Sequence, residues 1–344
     1  MGRHAGAPVL VPSWYAEMLG EGFEATDRAI EGNSPRWLVE LARRVPAIRG
    51  ILAFHRARDR PGSAVILGDP GTATVLFLEA WARRRRAVVV LELIPRRPDR
   101  RIRRALHRAW SRTLLAPAIR RAMTAGHILS EGERDAYAEE LAVPPARLVT
   151  IPWARSSGVA EREADGAPPR EGVLASGRAW TDWETLFAAA RGREWPLTVV
   201  YGERYRQTVP RLNHDGRARQ LCEIAPSEHA ELLRRAAVYV IPLRADSPSA
   251  GQVRLMAATD AGAAVVATRI APLAGYVSDG VSAVLVEPGD PDALAAAVER
   301  LLSSPDERER LVAGARERAR RWTYREYFDA VGELLHESLT RVDK

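Results

Sequence analysis

Residues 247–270 read SPSAGQVRLMAATDAGAAVVATRI. Small residues crowd a turn, a helix-period segment carries no carboxylate before Asp260, and an apolar run, 263–268, follows. A continuous apolar run of this length reads as a strand buried on both faces. Turn, helix and buried strand make half of a βα repeat, and the repeat recurs along the chain. Further strand candidates lie at 63–68 (SAVILG), 87–93 (AVVVLEL), 147–152 (RLVTIP), 172–176 (GVLAS), 197–202 (LTVVYG), 237–242 (AVYVIP) and 283–287 (AVLVE), with helical patterns between them. Such alternation specifies an α/β protein with doubly wound parallel sheets.

At 344 residues the chain is long enough for two domains, each with its own core. The stretch 154–170, ARSSGVAEREADGAPPR, is polar and aperiodic with a Pro-Pro pair, and reads as a linker. The expected domains are 1–155 and 171–322, joined by a linker at 156–170 and followed by a terminal helix at 323–344. The net charge is +7, and of the 51 basic residues only Lys344 is a lysine. Walker-type phosphate-binding and Schiff-base chemistry by an internal lysine are therefore excluded. Single Cys222 excludes an internal disulfide and a cysteine-rich metal site. No apolar run reaches transmembrane length and the first residues lack a secretory apolar core, so a cytoplasmic protein is expected. The arginine excess raises nucleic-acid binding as a rival reading, but no recognisable nucleic-acid module accompanies it, and no nucleic-acid partner is expected.

Three stretches place chemistry at strand ends. A helix starting near Ala250 would offer open backbone N–H groups and a positive dipole end to an anion. Ala250 and Gly251 leave the backbone accessible, Ser249 is a cap or a donor, and Gln252 adds an amide; an ordinary capped helix fits the same residues. In ASGRAWTDWETL (175–186) the strand ends near Gly177 and Arg178 stands just beyond it, where ligands of open α/β sheets bind. An arginine there forks onto a diphosphate, and Asp182 is a helix cap or a site residue. Glu287 ends the strand of VLVEPGDPDALAAAVERLL (284–302) at the same edge.

Together these stretches, with SEHAELLRRAAVYVIPLR and the RARRWTYREYFDAV tail, make residues 172–330 resemble the donor-binding half of the retaining GT-B glycosyltransferases, the group-1 family. The first half resembles the family in outline, through AVVVLEL and GHILSEGERDAYAEELAVPPARLVTIPW. The resemblance implies two Rossmann-like domains with parallel sheets facing a central cleft, and a terminal helix crossing back to the first domain. It implies a nucleotide-diphosphate sugar as substrate, a UDP-sugar favoured, with no cofactor and no metal. Arg178 matches the family's diphosphate-binding arginine, and Ser249–Gln252 its phosphate-cradling helix start. The family commonly carries two glutamates with seven residues between them; here Ser249 and Ala257 occupy those places, and Asp260, one turn on, is the candidate to grip the ribose. The family's lysine after Arg178 is also missing, with Trp183 near its place. A non-catalytic relative or partner subunit that binds a nucleotide or a sugar phosphate is the alternative these departures suggest.

On the acceptor side, VILGDPGTATVLFLEAW (65–81) offers Gly68 and Asp69 in a turn that is either a small crevice or a plain βα connection. Glu92 ends AVVVLEL where related enzymes often carry a histidine; it faces a reacting hydroxyl or pairs with Arg96 or Arg97. His127 is a further acceptor-side candidate. The acceptor class stays open among small molecules, glycans and lipids. Arginine-rich residues 96–123, with an apolar stripe through Ile102, Leu106, Ala109 or Trp110, and Leu114, read as an amphipathic surface helix, as a peripheral contact with the anionic inner membrane face, or as an arginine bed for a phosphorylated acceptor.

Overall fold

The computed structural model describes residues 7–68, 71–82, 86–95, 101–154 and 169–342, without the side chains of 101–104, 108 and 342. Most of the expected linker therefore lies outside the described residues. The chain divides into two compact units: Met1–Pro152 with Arg325–Lys344, and Trp153–Tyr324.

Unit 1 is built on strands β1 (Val9–Val11), β2 (Phe23–Ala25), β3 (Gly62–Ile66), β4 (Ala87–Leu91), β5 (Ala125–Ile128) and β6 (Leu148–Thr150). They form one sheet in the order β2-β1-β3-β4-β5-β6, all parallel. Its helices are α1 (Ser13–Leu19), α2 (Thr26–Glu31), α3 (Arg36–Arg44), α4 (Pro46–Arg56), α5 (Thr72–Ala82), α6 (Arg101–Trp110), α7 (Ala116–Ala122) and α8 (Arg134–Leu141), with a π turn at Ser111–Leu115 between α6 and α7. Every residue of β4 is buried, as a central parallel strand covered on both faces requires.

Unit 2 repeats the plan. Its strands are β7 (Glu171–Gly177), β8 (Leu197–Tyr201), β9 (Arg219–Cys222), β10 (Ala236–Ile241), β11 (Ala264–Thr268) and β12 (Val284–Val286). They pair in parallel in the order β12-β11-β10-β7-β8-β9. Helices α9 (Trp183–Ala190), α10 (Thr208–Leu212), α11 (Pro226–Arg235), α12 (Gln252–Ala261), α13 (Pro291–Ser303) and α14 (Pro305–Ala319) cover the two faces; α15 (Tyr324–Val342) ends the chain. One core, around Trp183, Val199 and Val298, fills one side of the sheet, and another, around Tyr239, Leu255 and Met256, fills the other.

All eight strand candidates are present. Four more strands exist, and three of them, β1, β2 and β9, had no strand signal. Two are three residues long and the third is the polar edge strand RQLC, too short or too polar to show a period.

Candidate functional site

Strand order locates the site before any side chain does. In unit 2 the chain runs outward from β7 through β8 to β9, then returns to β10 on the other side of β7. Connections diverge there, opening a crevice beyond the carboxyl ends of β7 and β10. The residues that follow those two strands are 178–182 and 242–251. They are knitted together: Asp182 N–H donates to Pro242 O at 2.9 Å, Arg244 N–H to Trp180 O at 3.2 Å, and Ser247 Oγ donates to Arg244 O at 2.7 Å. Asp182 caps α9 by accepting from Thr185 N–H at 3.0 Å, so it is a structural cap.

Backbone strain concentrates at these edges. Among the described residues, five non-glycine residues have positive φ: Glu92, Ala142, Trp180, Glu223 and Ser249. Ala142 is an ordinary left-handed helix C-cap. Glu92 and Glu223 directly follow β4 and β9, while Trp180 and Ser249 lie in the connections after β7 and β10; conformations of this cost persist where surrounding structure enforces them, often at functional sites.

Two cations flank Gly177. Arg178 is 74% exposed at its side chain and ion-paired with Glu223 at 3.3 Å. Beneath it runs a buried polar chain: His229 Nε2 lies 2.9 Å from Ser176 Oγ, which is bonded to the Tyr239 hydroxyl. Burial first, and Arg178 second, hold the His229 imidazole below its ordinary pKa. The second cation is Arg254, one turn into α12. Its Nη1 donates to Ser176 O at 2.6 Å and lies 3.3 Å from Thr181 Oγ1. Among the described residues no carboxylate pairs with it, and burial lowers its pKa. Gly177 is dictated by this packing: a Cβ there would stand 1.9 Å from Thr181 Oγ1 and 2.8 Å from Arg254 Nη1. Sequence reasoning missed Arg254, which reads simply as one more helical arginine.

The turn before α12 differs from its expected form. The helix begins at Gln252, and its N-cap is Gly251, with φ 97° and no side-chain cap. Ser249 is therefore not the cap; it sits two residues earlier at φ 35°. Gly251 does not make room for a ligand, since a Cβ there would meet Leu243 Cδ1 at 2.8 Å and Leu273 Cδ2 at 3.1 Å, within the core. Ala250 is buried as well. Gln252 is buried and its amide donates to Pro272 O at 3.0 Å, so its side chain fixes the turn and is not offered to a ligand. What survives is the backbone: the N-cap, Gly251, has no side chain to cap α12, whose N-terminus lies in the connection that follows β10.

Asp260 is misplaced as a ribose ligand. It lies in the last turn of α12, roughly 12 Å along the axis from Gln252. A helix that returns between parallel strands ends at their amino edge, opposite the crevice. Ala257 packs against the core beside Tyr239 and Leu255. Trp183 is fully buried and cannot stand in for a phosphate-binding lysine. Glu287 is at the expected edge, after β12, where Arg269 binds it at 2.8 Å and Asp279 at 2.6 Å.

Unit 1 has the same topological break, between β1 and β3. A cavity of about 190 Å³ opens there, lined by Ser13, Asp27, Arg49, Ala64, Ile66 and Thr72 among others. Arg49 holds Asp27 at 2.8 Å, and Ser13 Oγ donates to the same carboxylate at 3.2 Å. The cavity adjoins the turn containing Gly68; Asp69, Arg96 and Arg97 lie outside the described residues. Glu92 follows β4 with φ 46°. Its Oε1 accepts from Tyr15 Oη at 2.8 Å, and Tyr15 Oη is 2.7 Å from Tyr327 Oη on α15. Desolvation raises the Glu92 pKa, against the Tyr15 hydrogen bond that lowers it.

His127 is corrected from ligand to scaffold. It is completely buried, its Nδ1 accepts from Glu92 N–H at 3.3 Å, and its Nε2 lies 2.9 Å from Ile151 O. A carbonyl only accepts and a backbone N–H only donates, so these partners fix the neutral Nε2–H tautomer. Burial pushes its pKa down to about 4, in accord. His127 thus pins the strained backbone of Glu92. Among the described residues, no three His, Cys, Asp or Glu side chains converge as a metal site.

Residues 183–304 match the family described as Glycosyl transferases group 1. Solved structures resemble the whole chain. The sucrose-phosphate synthase of Thermosynechococcus elongatus superposes with TM-score 0.70 at 17% identity, covering 97% of this chain and 100% of that one. Anabaena HepE, solved with UDP-glucose, gives 0.68 at 14% identity, covering 96% and 99%. A UDP-forming α,α-trehalose-phosphate synthase from Burkholderia xenovorans gives 0.64 at 15% identity, covering 96% and 87%. The fold is that of the GT-B glycosyltransferases. No curated protein matches the chain in sequence, so the GT-B assignment rests on the group-1 segment and on three-dimensional likeness. Within it, unit 2 carries the group-1 match, and the Arg178–Arg254 edge belongs to that unit.

Proposed function

We propose that this GT-B protein is a glycosyltransferase that moves a sugar from a nucleotide-diphosphate donor, UDP-linked in our reading, to a hydroxyl acceptor with retention of configuration. The observation that carries the proposal is the switch-point edge of unit 2: two arginines and a helix start with a glycine N-cap lie there on strained backbone. A diphosphate is an anion of the matching size and charge. Arg178 would exchange Glu223 for phosphate oxygens, and Arg254 would supply a second cation. The helix N–H groups of α12 would add dipolar stabilisation as negative charge builds on the leaving group.

In the reaction the bond from the anomeric carbon to the phosphate oxygen breaks while the acceptor oxygen bonds to that carbon. The acceptor proton passes to the departing phosphate oxygen. No metal or cofactor is invoked. Glu92 is the acceptor-side group in this reading: its carboxylate, aimed by Tyr15 and His127, accepts a hydrogen bond from an acceptor hydroxyl. UDP is favoured because structural relatives were solved with UDP-glucose or are named UDP-forming.

A specific departure supports a second reading. Ser249 and Ala257 stand where the resemblance leads one to expect glutamates, and Ala257, half-buried, packs against the core. A chain that binds the nucleotide without turnover is the alternative. The test is a thermal-shift screen of UDP, GDP, ADP and TDP and their sugars, with Arg178→Ala as control. A shift for one nucleotide class that the variant reduces supports the donor site. No shift with any of them refutes it, and binding without release of the diphosphate from any donor sugar selects the second reading.

A further inference from the structure

Unit 1 displays apolar side chains where a self-contained domain would bury them. On α3 and its C-cap, Trp37, Leu41 and Val45 are 68%, 37% and 38% exposed. Their spacing of four puts them on one helix face. On α6 and the π turn the pattern repeats: Leu106, Trp110 and Leu114 are 67%, 36% and 53% exposed. Trp81, at 83%, ends α5 nearby in the fold, and Ile51 of α4 is exposed as well. In unit 2 the exposed large hydrophobics among the described residues are Val253 and Val281 alone.

Topology gathers these residues. The connections β2 to β3, β3 to β4 and β4 to β5 all step in the same direction across the sheet. Right-handed crossovers stepping one way lay their helices on one face. In accord, α3 packs on α4, α4 on α5, and α5 on α7 and the π turn, to which α6 attaches. One helical layer therefore carries two tryptophan-containing stripes.

Its charge is predominantly positive, although Arg43 and Arg44 of α3 are paired with Glu31 and Glu40. Residues 101–123 contain seven arginines and no Asp or Glu, and Arg112, Arg120 and Arg121 are exposed. On α3, Arg36, Arg43 and Arg44 outnumber Glu40, which pairs with the last two. A basic face is poorly matched to a second copy of itself, since a two-fold interface would set like charges together. Leu41 and Val45 in one stripe and Leu106 and Leu114 in the other offer nothing to a nucleic-acid backbone. Tryptophan and leucine amid arginine are the side chains that settle at the boundary of headgroups and acyl chains.

We propose that the α3–α4–α5–α6 face of unit 1 docks on an anionic lipid surface. The two stripes insert into the acyl boundary and the arginines lie among the headgroups. The docking does not depend on the donor reading.

The test is flotation of the full chain with vesicles of phosphatidylcholine, with and without phosphatidylglycerol. Two variants each remove one stripe: Trp37→Gln with Leu41→Gln, and Leu106→Gln with Trp110→Gln and Leu114→Gln. Val281→Gln is the control, and thermal melting confirms that each variant folds. The expected result is binding to anionic vesicles at least tenfold tighter than to neutral ones, weakened tenfold or more by either stripe variant and unchanged in the control. Absence of binding to anionic vesicles, or binding that both stripe variants retain, overturns the proposal. So does removal of the protein from vesicles by a DNA duplex that both variants bind as the wild type does; that result would mark a nucleic-acid surface.

Discussion

Arg254 gives the sharpest test of the donor site. It sits half-buried with neutral acceptors only, 2.6 Å from Ser176 O, while Arg178 is exposed and shared with Glu223. A charge-assisted hydrogen bond to a ligand phosphate is worth about 1.5–3 kcal/mol, which is roughly 10- to 150-fold in affinity. Arg254→Gln should therefore weaken UDP binding by that factor in isothermal titration calorimetry. The substitution also removes the tie to Ser176, so some loss is conformational. Uridine separates the two effects, because it has the base and ribose but no phosphate. We expect the uridine affinity to change less than about threefold, well inside the phosphate effect, and Arg254→Lys to recover part of the loss. Equal losses for UDP and uridine would show that Arg254 acts only through the end of β7. An unchanged UDP affinity would show that the diphosphate lies elsewhere.

Other consequences follow from the same geometry. Glu92→Gln should abolish most transfer while leaving donor binding intact. Because desolvation raises the folded pKa of Glu92 above 4.5, the native state binds more protons than the unfolded chain, and stability falls as pH rises through that interval. The Gln variant should therefore gain melting temperature relative to the wild type at pH 7 but not at pH 4, as calorimetry at the two pH values would show. Glu79→Leu removes the carboxylate bonded to the buried Arg86 and leaves it only the charge of Asp59. A loss of about 3–5 kcal/mol is expected, with melting of unit 1 lowered by roughly 6–20 °C; the double change to methionines should recover most of it. Gly251→Ala forces a Cβ into Leu243 at φ 97° and should cost about 2–4 kcal/mol in a denaturant titration. Gly280→Ala, at φ 69° in open space, should cost only about 1 kcal/mol.

The α/β plan was legible because buried parallel strands are apolar without interruption and helices separate them. β1, β2 and β9 escaped because three or four residues carry no measurable period. Arg178 and Glu92 could be placed just beyond strand ends from sequence, a position that topology turns toward ligands. Arg254 could not, because its reach back to Ser176 exists only once α12 docks beside β7. Tyr15 and Tyr327, which share a hydrogen bond across 312 residues of sequence, were equally invisible. His127 and Gln252 misled in the opposite sense: both are polar residues near the right edge, and only burial shows that their polar atoms are spent on the scaffold. Asp260 misled through linear proximity, since one helix carries its two ends to opposite edges of the sheet.

The most direct measurement is a crystal structure of the chain with the nucleoside diphosphate that gives the largest thermal shift. The account predicts both phosphates beyond the ends of β7 and β10, bonded to the guanidinium groups of Arg178 and Arg254 and to backbone N–H groups at the start of α12. A nucleotide seated away from that edge, or phosphates that touch neither arginine, would contradict it.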